Sequence, residues 1–402
     1  MRSSQRRLSA AWRLVLASLL LAAAGARRAK DKGGGGGGGV GGGGGGSSRG
    51  GGGASGLGKA GKAAGAKPKR KLRYYEAGPP ALRPLCLNGT KPPQSSAPDD
   101  GLIHIGFFDT RGKPSTAGMV AAAEQIRKAA EDASKLRFHA LLRAGGVSVP
   151  GMTHELVKLP PEATCVYSGL ARLAHGPGPA YLYKPLLHYL MPTVRRLILL
   201  DTDIVVLRPI EQLYRHFDRF GAAVVGVANE QTNMYQRSSG WRLIGKNGGV
   251  QLLDLHGMRA SAEYSRSLDE YAAGLTKEWI GFLGDQSLYT QMAGGQWRQL
   301  IHTLPCEWNR QISMQFGFGN KTVHTCANPC ALLHANYKPL KCVTPLMQAS
   351  PSCTTWKGFY ERTTADLRKR TGPLCGTNMV GSWGQFQRAM RTYFSDCCVD
   401  GL

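Results

Sequence analysis

Residues 195–210 read RRLILLDTDIVVLRPI, a short apolar run of strand length that breaks on two aspartates and resumes. An unpaired carboxylate in an apolar interior is costly enough to neutralise or to find a cation, so Asp201 and Asp203 need a partner. On an extended segment residues i and i+2 share a face, which lets both carboxylates enter one pocket with Thr202 turned away. Hard carboxylate oxygens suit Mn2+ or Mg2+, ions that commonly bridge protein ligands to phosphate oxygens. A lone D-x-D is common and is more often a solvated turn, so its surroundings decide.

Those surroundings have an α/β pattern. Leu102 to Phe108 (LIHIGFF) reads as a strand, Thr116 to Leu136 as an alanine-rich helix, and the segment from Arg137 as a second strand, which suggests a parallel sheet. Tyr181 to Met191 has helical spacing, Leu197 to Leu200 is a strand, and IVVL continues beyond the aspartates. Ile210 to Phe217 reads as helical, and Ala222 to Ala228 and Val250 to Leu255 as further buried strands. Ligands of open α/β sheets collect at the carboxyl ends of strands, and LILL ends at Asp201. Beyond Leu340 the strand pattern gives way to Cys, Pro and Gly.

The chain has 402 residues and a net charge of +25. Residues 1–75 hold sixteen Lys and Arg against one acidic residue, Asp31, so +15 of that charge lies in the first fifth. A nucleic-acid-binding protein would spread basic charge over its folded part, so this distribution opposes that class. Leu14 to Ala26 is an apolar stretch of 13 residues, shorter than the ~20 of a full span. It reads as a signal peptide or, with flanking arginines that snorkel, a short type II signal anchor. Residues 33–58 are almost all Gly, a flexible tether. Two N-x-T sequons, at Asn88 and Asn320, and ten cysteines, eight of them after residue 300, point to disulfides in the lumen of the secretory pathway. Cys326, Cys330 and His334 have an unusual spacing for zinc. The expected domains are residues 1–32 (signal peptide or anchor), 33–75 (stem), 76–100 (linker), 101–345 (catalytic) and 346–402 (a cysteine-rich extension).

Four later segments follow DTDIVVLRP in order: Asn247-Gly248-Gly249-Val250, Gly284-Asp285-Gln286, Leu304-Pro305-Cys306-Glu307-Trp308-Asn309, and His334-Ala335-Asn336-Tyr337-Lys338-Pro339. Together the five resemble glycosyltransferase family 8, in particular its xylosyltransferase-type members such as the glucoside xylosyltransferases and the family 8 half of LARGE glycosyltransferases. The resemblance covers roughly residues 100–345. It implies an A-type nucleotide-sugar transferase fold and a retaining transferase that moves a sugar, xylose first and glucose, galactose or glucuronate otherwise, from a UDP-sugar to a glycan or glycoprotein, using Mn2+ or Mg2+. It further implies that Asp201, Asp203 and His334 hold the metal, His334 through Nε2. Lys184, Asn247, Gly248 and Gly249 would join Asp201 around the donor, Asp285 would bind its hydroxyls, and Gln286 would lie on the far face of the anomeric carbon.

Lys338 would stabilise the departing UDP, with Lys341 an adjacent candidate. Trp308 and Asn309 fit acceptor-side or structural roles. The implied setting is the Golgi or endoplasmic reticulum lumen, membrane-bound if the N-terminal segment is retained and secreted if it is cleaved. Gly248 stands where the family usually has Ser, Thr or Ala, Ser287 replaces the second Asp of D-Q-D, and HANYKPL is shorter than the H-x-x-G-x-x-K-P-W form. These departures bear on the donor sugar rather than the class. The alternative reading is a glycosyltransferase-like protein that binds carbohydrate or a partner without turnover.

Overall fold

The computed structural model describes residues 84–87, 99–109, 116–143, 145, 147–172, 178–232, 243–275, 283–312, 316, 326–336, 338–350, 352–375 and 383–398. The expected signal segment, the stem, most of the linker and both sequons lie outside them. Among the described residues no helix is long and apolar enough to cross a membrane.

Seven strands form the main sheet: β1 (Ile103–Phe108), β2 (Leu136–Leu142), β3 (Thr153–Leu156), β4 (Arg196–Leu200), β6 (Val225–Asn229), β7 (Lys246–Asp254) and β8 (Ile301–Leu304), in the order β3-β2-β1-β4-β7-β6-β8. The pairings β1·β2, β1·β4, β2·β3 and β6·β8 are parallel, whereas β7 runs antiparallel to both β4 and β6. This is the mostly parallel, Rossmann-like sheet flanked by helices that the A-type nucleotide-sugar transferase fold requires. A second sheet of two strands pairs β5 (Ile204–Val206) with β9 (Leu332–His334). IVVL therefore leaves the main sheet instead of extending it.

The apolar run of β4 is continuous because both faces are covered. On β4, Leu197 and Leu199 join one core with Val166 and Leu170 of α2 (Pro161–Ala171), Leu268 of α3 (Ala262–Ala273), and Leu288 and Met292 of α4 (Asp285–Gly294). Ile198 and Leu200 face the other core, with Met119 and Ile126 of α1 (Thr116–Ala129). That helix ends at Ala129, short of the expected Leu136, because Asp132 accepts from the Ser134 N–H and turns the chain into β2. Tyr181 to Met191 is a 3-10 segment, Pro179–Leu186, followed by one α turn, since Pro185 inside it interrupts a regular helix.

After α5 (Lys338–Lys341) come α6 (Thr344–Ala349), α7 (Cys353–Cys375) and α8 (Trp383–Asp396). Disulfides join Cys86–Cys165, Cys306–Cys326, Cys330–Cys397 and Cys353–Cys398, and Cys342 is bonded as well. Cys326 and Cys330 thus pair with different partners instead of forming a zinc site with His334. The Cys330–Cys397 bond and the ion pair of Arg310 with Asp396 at 2.8 Å tie the C-terminal helices to the sheet domain.

Candidate active site

Strand directions bring the separated motifs together. Because β4 and β7 are antiparallel, the end of one lies beside the start of the other: Leu200 is in register with Val250, and the Asp201 N–H donates to the Gly249 carbonyl at 2.9 Å. Asn247-Gly248-Gly249 is thereby fixed against the D-x-D. Just past it, Ile204 of β5 is in register with His334 of β9, and the Ala335 N–H donates to the Asp203 carbonyl at 2.7 Å. This ladder delivers His334. Asp285 and Gln286 open α4, and Lys184 comes from the 3-10 segment.

All nine of Lys184, Asp201, Asp203, Asn247, Gly248, Gly249, Asp285, Gln286 and His334 line one cavity of about 170 Å3. Lys341 lines it too, whereas the side chain of Lys338 lies outside the described residues. His334 Nε2 is 3.7 Å from Asp201 Oδ2 and 3.6 Å from Asp203 Oδ1, is buried, and has no hydrogen-bond partner. Two carboxylates and an imidazole lone pair at these separations make a donor set suited to a hard divalent ion, Mn2+ or Mg2+. The residues fit the metal. A second group, Cys306, Glu307 and Cys326, is no rival, since its sulfurs are joined.

Lys184 is 2% exposed and its Nζ lies 3.2 Å from Asp201 Oδ1, 3.7 Å from Asp285 Oδ2 and 3.1 Å from the Gly248 carbonyl oxygen. Burial opposes its charge, but the carboxylates of Asp201 and Asp285 outweigh burial and hold the ammonium above its ordinary range. Burial pushes the Asp285 carboxyl up to about 6 against the pull of Lys184. Gln251 Nε2 donates to Asp285 Oδ2 at 2.6 Å, while Asp285 Oδ1 is buried without a partner. Burial also opposes the charge on Asp203, yet His334 and the Lys341 ammonium beside it hold its carboxyl well below the usual range.

The two glycines of the NGG segment leave room for side chains: a Cβ on Gly249 would meet His334 Cε1 at 2.0 Å, and one on Gly248 would meet Asp285 Oδ2 at 2.7 Å. Asn247 turns its amide inward, donating to Glu230 Oε2 at 2.9 Å and accepting from Asn309 Nδ2 at 3.0 Å. Trp308 is buried in the core, edge-on to His216. Glu230, Gln251 and Tyr181 belong to the site and were not apparent from sequence. Glu230 has no local motif; Gln251 could have been found as the residue of β7 that follows the glycines by two.

No family model matches the chain. It is 31% identical over 215 residues to xyloside xylosyltransferase 1 of Mus musculus, a match covering 45% of this chain and 54% of that protein. Over that stretch the chain is similar to a xylosyltransferase. Xylosyl- and glucuronyltransferase LARGE2 of Mus musculus is 29% identical over 164 residues, 39% of this chain and 22% of its own length. The chain thus spans about half the length of the mouse xylosyltransferase and less of LARGE2. Among solved structures, apo mouse xyloside xylosyltransferase 1 superposes with a TM-score of 0.46 at 21% identity, covering 58% of this chain and 97% of that one. The galactosyltransferase LgtC, in complex with donor and acceptor sugar analogues, gives a TM-score of 0.42 at 15% identity, covering 58% of this chain and 87% of that one.

Proposed function

We propose that the protein is a metal-dependent, retaining glycosyltransferase of the secretory-pathway lumen that transfers a sugar, xylose first among candidates, from a UDP-sugar to a glycan or glycoprotein. The observation that carries this reading is the convergence of Asp201, Asp203 and an unpartnered His334 Nε2 in the cavity that also contains Lys184, Asp285 and Gln286. Kinship with xylosyltransferases supports the donor class. Asp201, Asp203 and His334 hold Mn2+, which when bound neutralises charge on the diphosphate.

Lys184 holds Asp201 and Asp285 in place. Asp285 offers its free Oδ1 to a donor hydroxyl. Gln286 lines the cavity, and the resemblance implies that it faces the anomeric carbon opposite the leaving group, where a retaining hydrolase has a carboxylate nucleophile. An amide is a poor nucleophile, so the chemistry runs on one face: the glycosidic bond to UDP breaks, a leaving phosphate oxygen takes the acceptor proton, and the acceptor oxygen bonds the anomeric carbon. A preorganised ammonium beside the leaving group stabilises charge as that bond breaks, a role for Lys338 with Lys341 one helical turn on.

The test is hydrolysis and transfer by the purified full chain with UDP-xylose, UDP-glucose, UDP-galactose and UDP-glucuronate, with and without Mn2+. One donor should turn over in a Mn2+-dependent way, and Asp203→Asn, which removes a charge at nearly constant volume, should abolish it with the fold intact. Mn2+-independent activity, or near-normal activity in folded Asp203→Asn, would overturn the metal assignment. Donor binding without turnover of any sugar would support the non-catalytic alternative.

A further inference from the structure

A chain of four buried side chains runs from Glu230, the residue after β6, to the imidazole that faces Asp201 and Asp203. Glu230 Oε1 accepts from the Thr232 N–H at 3.1 Å and from its hydroxyl at 3.0 Å, and Oε2 accepts from Asn247 Nδ2 at 2.9 Å. Asn247 Oδ1 accepts from the Gly249 N–H and from Asn309 Nδ2, both at 3.0 Å. Asn309 Oδ1 meets His334 Nδ1 at 3.0 Å. Glu230, Asn247, Asn309 and His334 are each at most 3% exposed.

The chain has only one polarity. The Gly249 N–H can only donate, so it fixes Asn247 Oδ1 as an acceptor and turns the Asn247 NH2 to Glu230. Asn309 must then donate to Asn247 and turn its own oxygen to the imidazole, so His334 Nδ1 must carry the proton. Nε2 is left with its lone pair facing Asp201 and Asp203. We propose that Asn309, oriented by Asn247 and Glu230, is a positioning residue that sets the His334 tautomer and so makes Nε2 a metal ligand. The tautomer claim stands on this hydrogen-bond chain alone; its use in metal binding rests on the function proposed above. Outer partners of ligating histidines typically alter metal affinity ~10–100-fold when lost.

Nitrogen-15 NMR of the histidine-labelled, metal-free full chain tests the first claim, with the His334 signal assigned by its loss in His334→Gln. At a pH where His334 is neutral, Nδ1 should be the protonated nitrogen. A His334 protonated at Nε2 in the wild type would overturn the proposal whatever the variants do. Asn309→Leu, which keeps the branched shape but offers no acceptor, should lose the fixed tautomer and bind Mn2+ ~10–100-fold more weakly by electron paramagnetic resonance titration. Asn309→Asp still accepts from Nδ1 but loses the donor to Asn247 Oδ1, so it should keep the tautomer while recovering only part of the affinity lost in Asn309→Leu. Unchanged tautomer and Mn2+ affinity in a folded Asn309→Leu, or loss of the fixed tautomer in Asn309→Asp as well, would show a purely structural Asn309. Should Asn309→Leu not fold, the wild-type tautomer and Asn309→Asp decide. If Mn2+ binding in the wild type proves independent of Asp203, the metal reading fails while the tautomer result still stands by itself.

Discussion

A Cβ placed on Gly249 would lie 2.0 Å from His334 Cε1, far inside contact distance, and the backbone there is tied by the hydrogen bond to Asp201. Gly249→Ala must therefore push the imidazole off the Asn309 bond. Overpacking of this kind costs ~1–3 kcal/mol. The expected outcome is a modest fall in urea-unfolding stability with a much larger loss of Mn2+ affinity; intact affinity would show that His334 can move without consequence. Lys184 makes a complementary case. It is the cation beside Asp285, which is fully buried, so Lys184→Met leaves a carboxylate without a counter-charge, at a cost of ~3–5 kcal/mol. The sign with pH follows from the raised Asp285 carboxyl, about 6 in the fold against 3.8 unfolded. Its contribution to stability is fully present below 3.8 and is lost as pH rises through 6. Without Lys184 the folded value climbs further, so the penalty measured by metal-free urea unfolding should be larger at pH 8 than at pH 5. Equal penalties would mean that Lys184 acts through packing alone.

Among the elements, β9 is only three residues long yet carries His334, and it is held from two directions, by the ladder to β5 and by the Cys330–Cys397 bond to the residue just beyond α8. Cys86–Cys165 closes a similarly long loop at α2. Removing either bond by paired Ser substitutions should cost ~2–4 kcal/mol. Only Cys330→Ser with Cys397→Ser should also weaken Mn2+ binding in protein that remains folded, as titration of both double variants would show. Equal effects on binding would mean that the ladder alone positions β9. The same element shows where sequence reading stops. β1, β2, β4, β6 and the second half of β7 were legible because their apolar residues face two cores, whereas the Lys246–Gly249 half of β7 carries no such signal. β3, with THEL mostly exposed at the sheet edge, carries no such signal, and β8 and β9 are too short to show a period. The direction of β7 was not legible either, since antiparallel pairing to β4 depends on contacts far apart in sequence. For the site, Asp201, Asp203, Asn247, Gly248, Gly249, Asp285, Gln286 and His334 line one cavity, whereas Trp308 of the fourth motif is buried in the core and Asn309 reaches the site through its hydrogen bond to His334. Glu230 escaped notice because its importance comes from a hydrogen bond to Asn247 across 17 residues, not from any local pattern.

Over the whole molecule, buried ionisable groups pull the pH–stability curve in opposite directions. Burial pushes His139 down to about 4, with the neighbouring His104 adding to the effect, and burial pushes His188 down to about 3, with the Arg259 guanidinium adding to it. Both histidines bind a proton in the unfolded chain near 6.5 but not in the fold, so each stabilises the fold fully above 6.5 and loses that contribution as pH falls toward 4 and 3. Asp285 acts oppositely between about 6 and 3.8, because the fold takes up its proton first. The wild-type curve therefore blends these terms, and a difference between two proteins isolates one of them. His188 is 1% exposed, lies 4.4 Å from the Tyr189 ring and 5.5 Å from that of Tyr264, and neither ring nitrogen has a hydrogen-bond partner, so His188→Phe suits its surroundings. Below pH 6.5 the variant should gain on the wild type by ~1.4 kcal/mol per pH unit, one proton's worth. Urea unfolding at pH 7.5, 6.0, 5.0 and 4.5 in metal-free buffer measures that gap. Parallel profiles would mean that His188 accepts its proton within the fold, through a rearrangement of the segment between Pro185 and Met191, and the acid sensitivity of the molecule would then lie with His139 on β2.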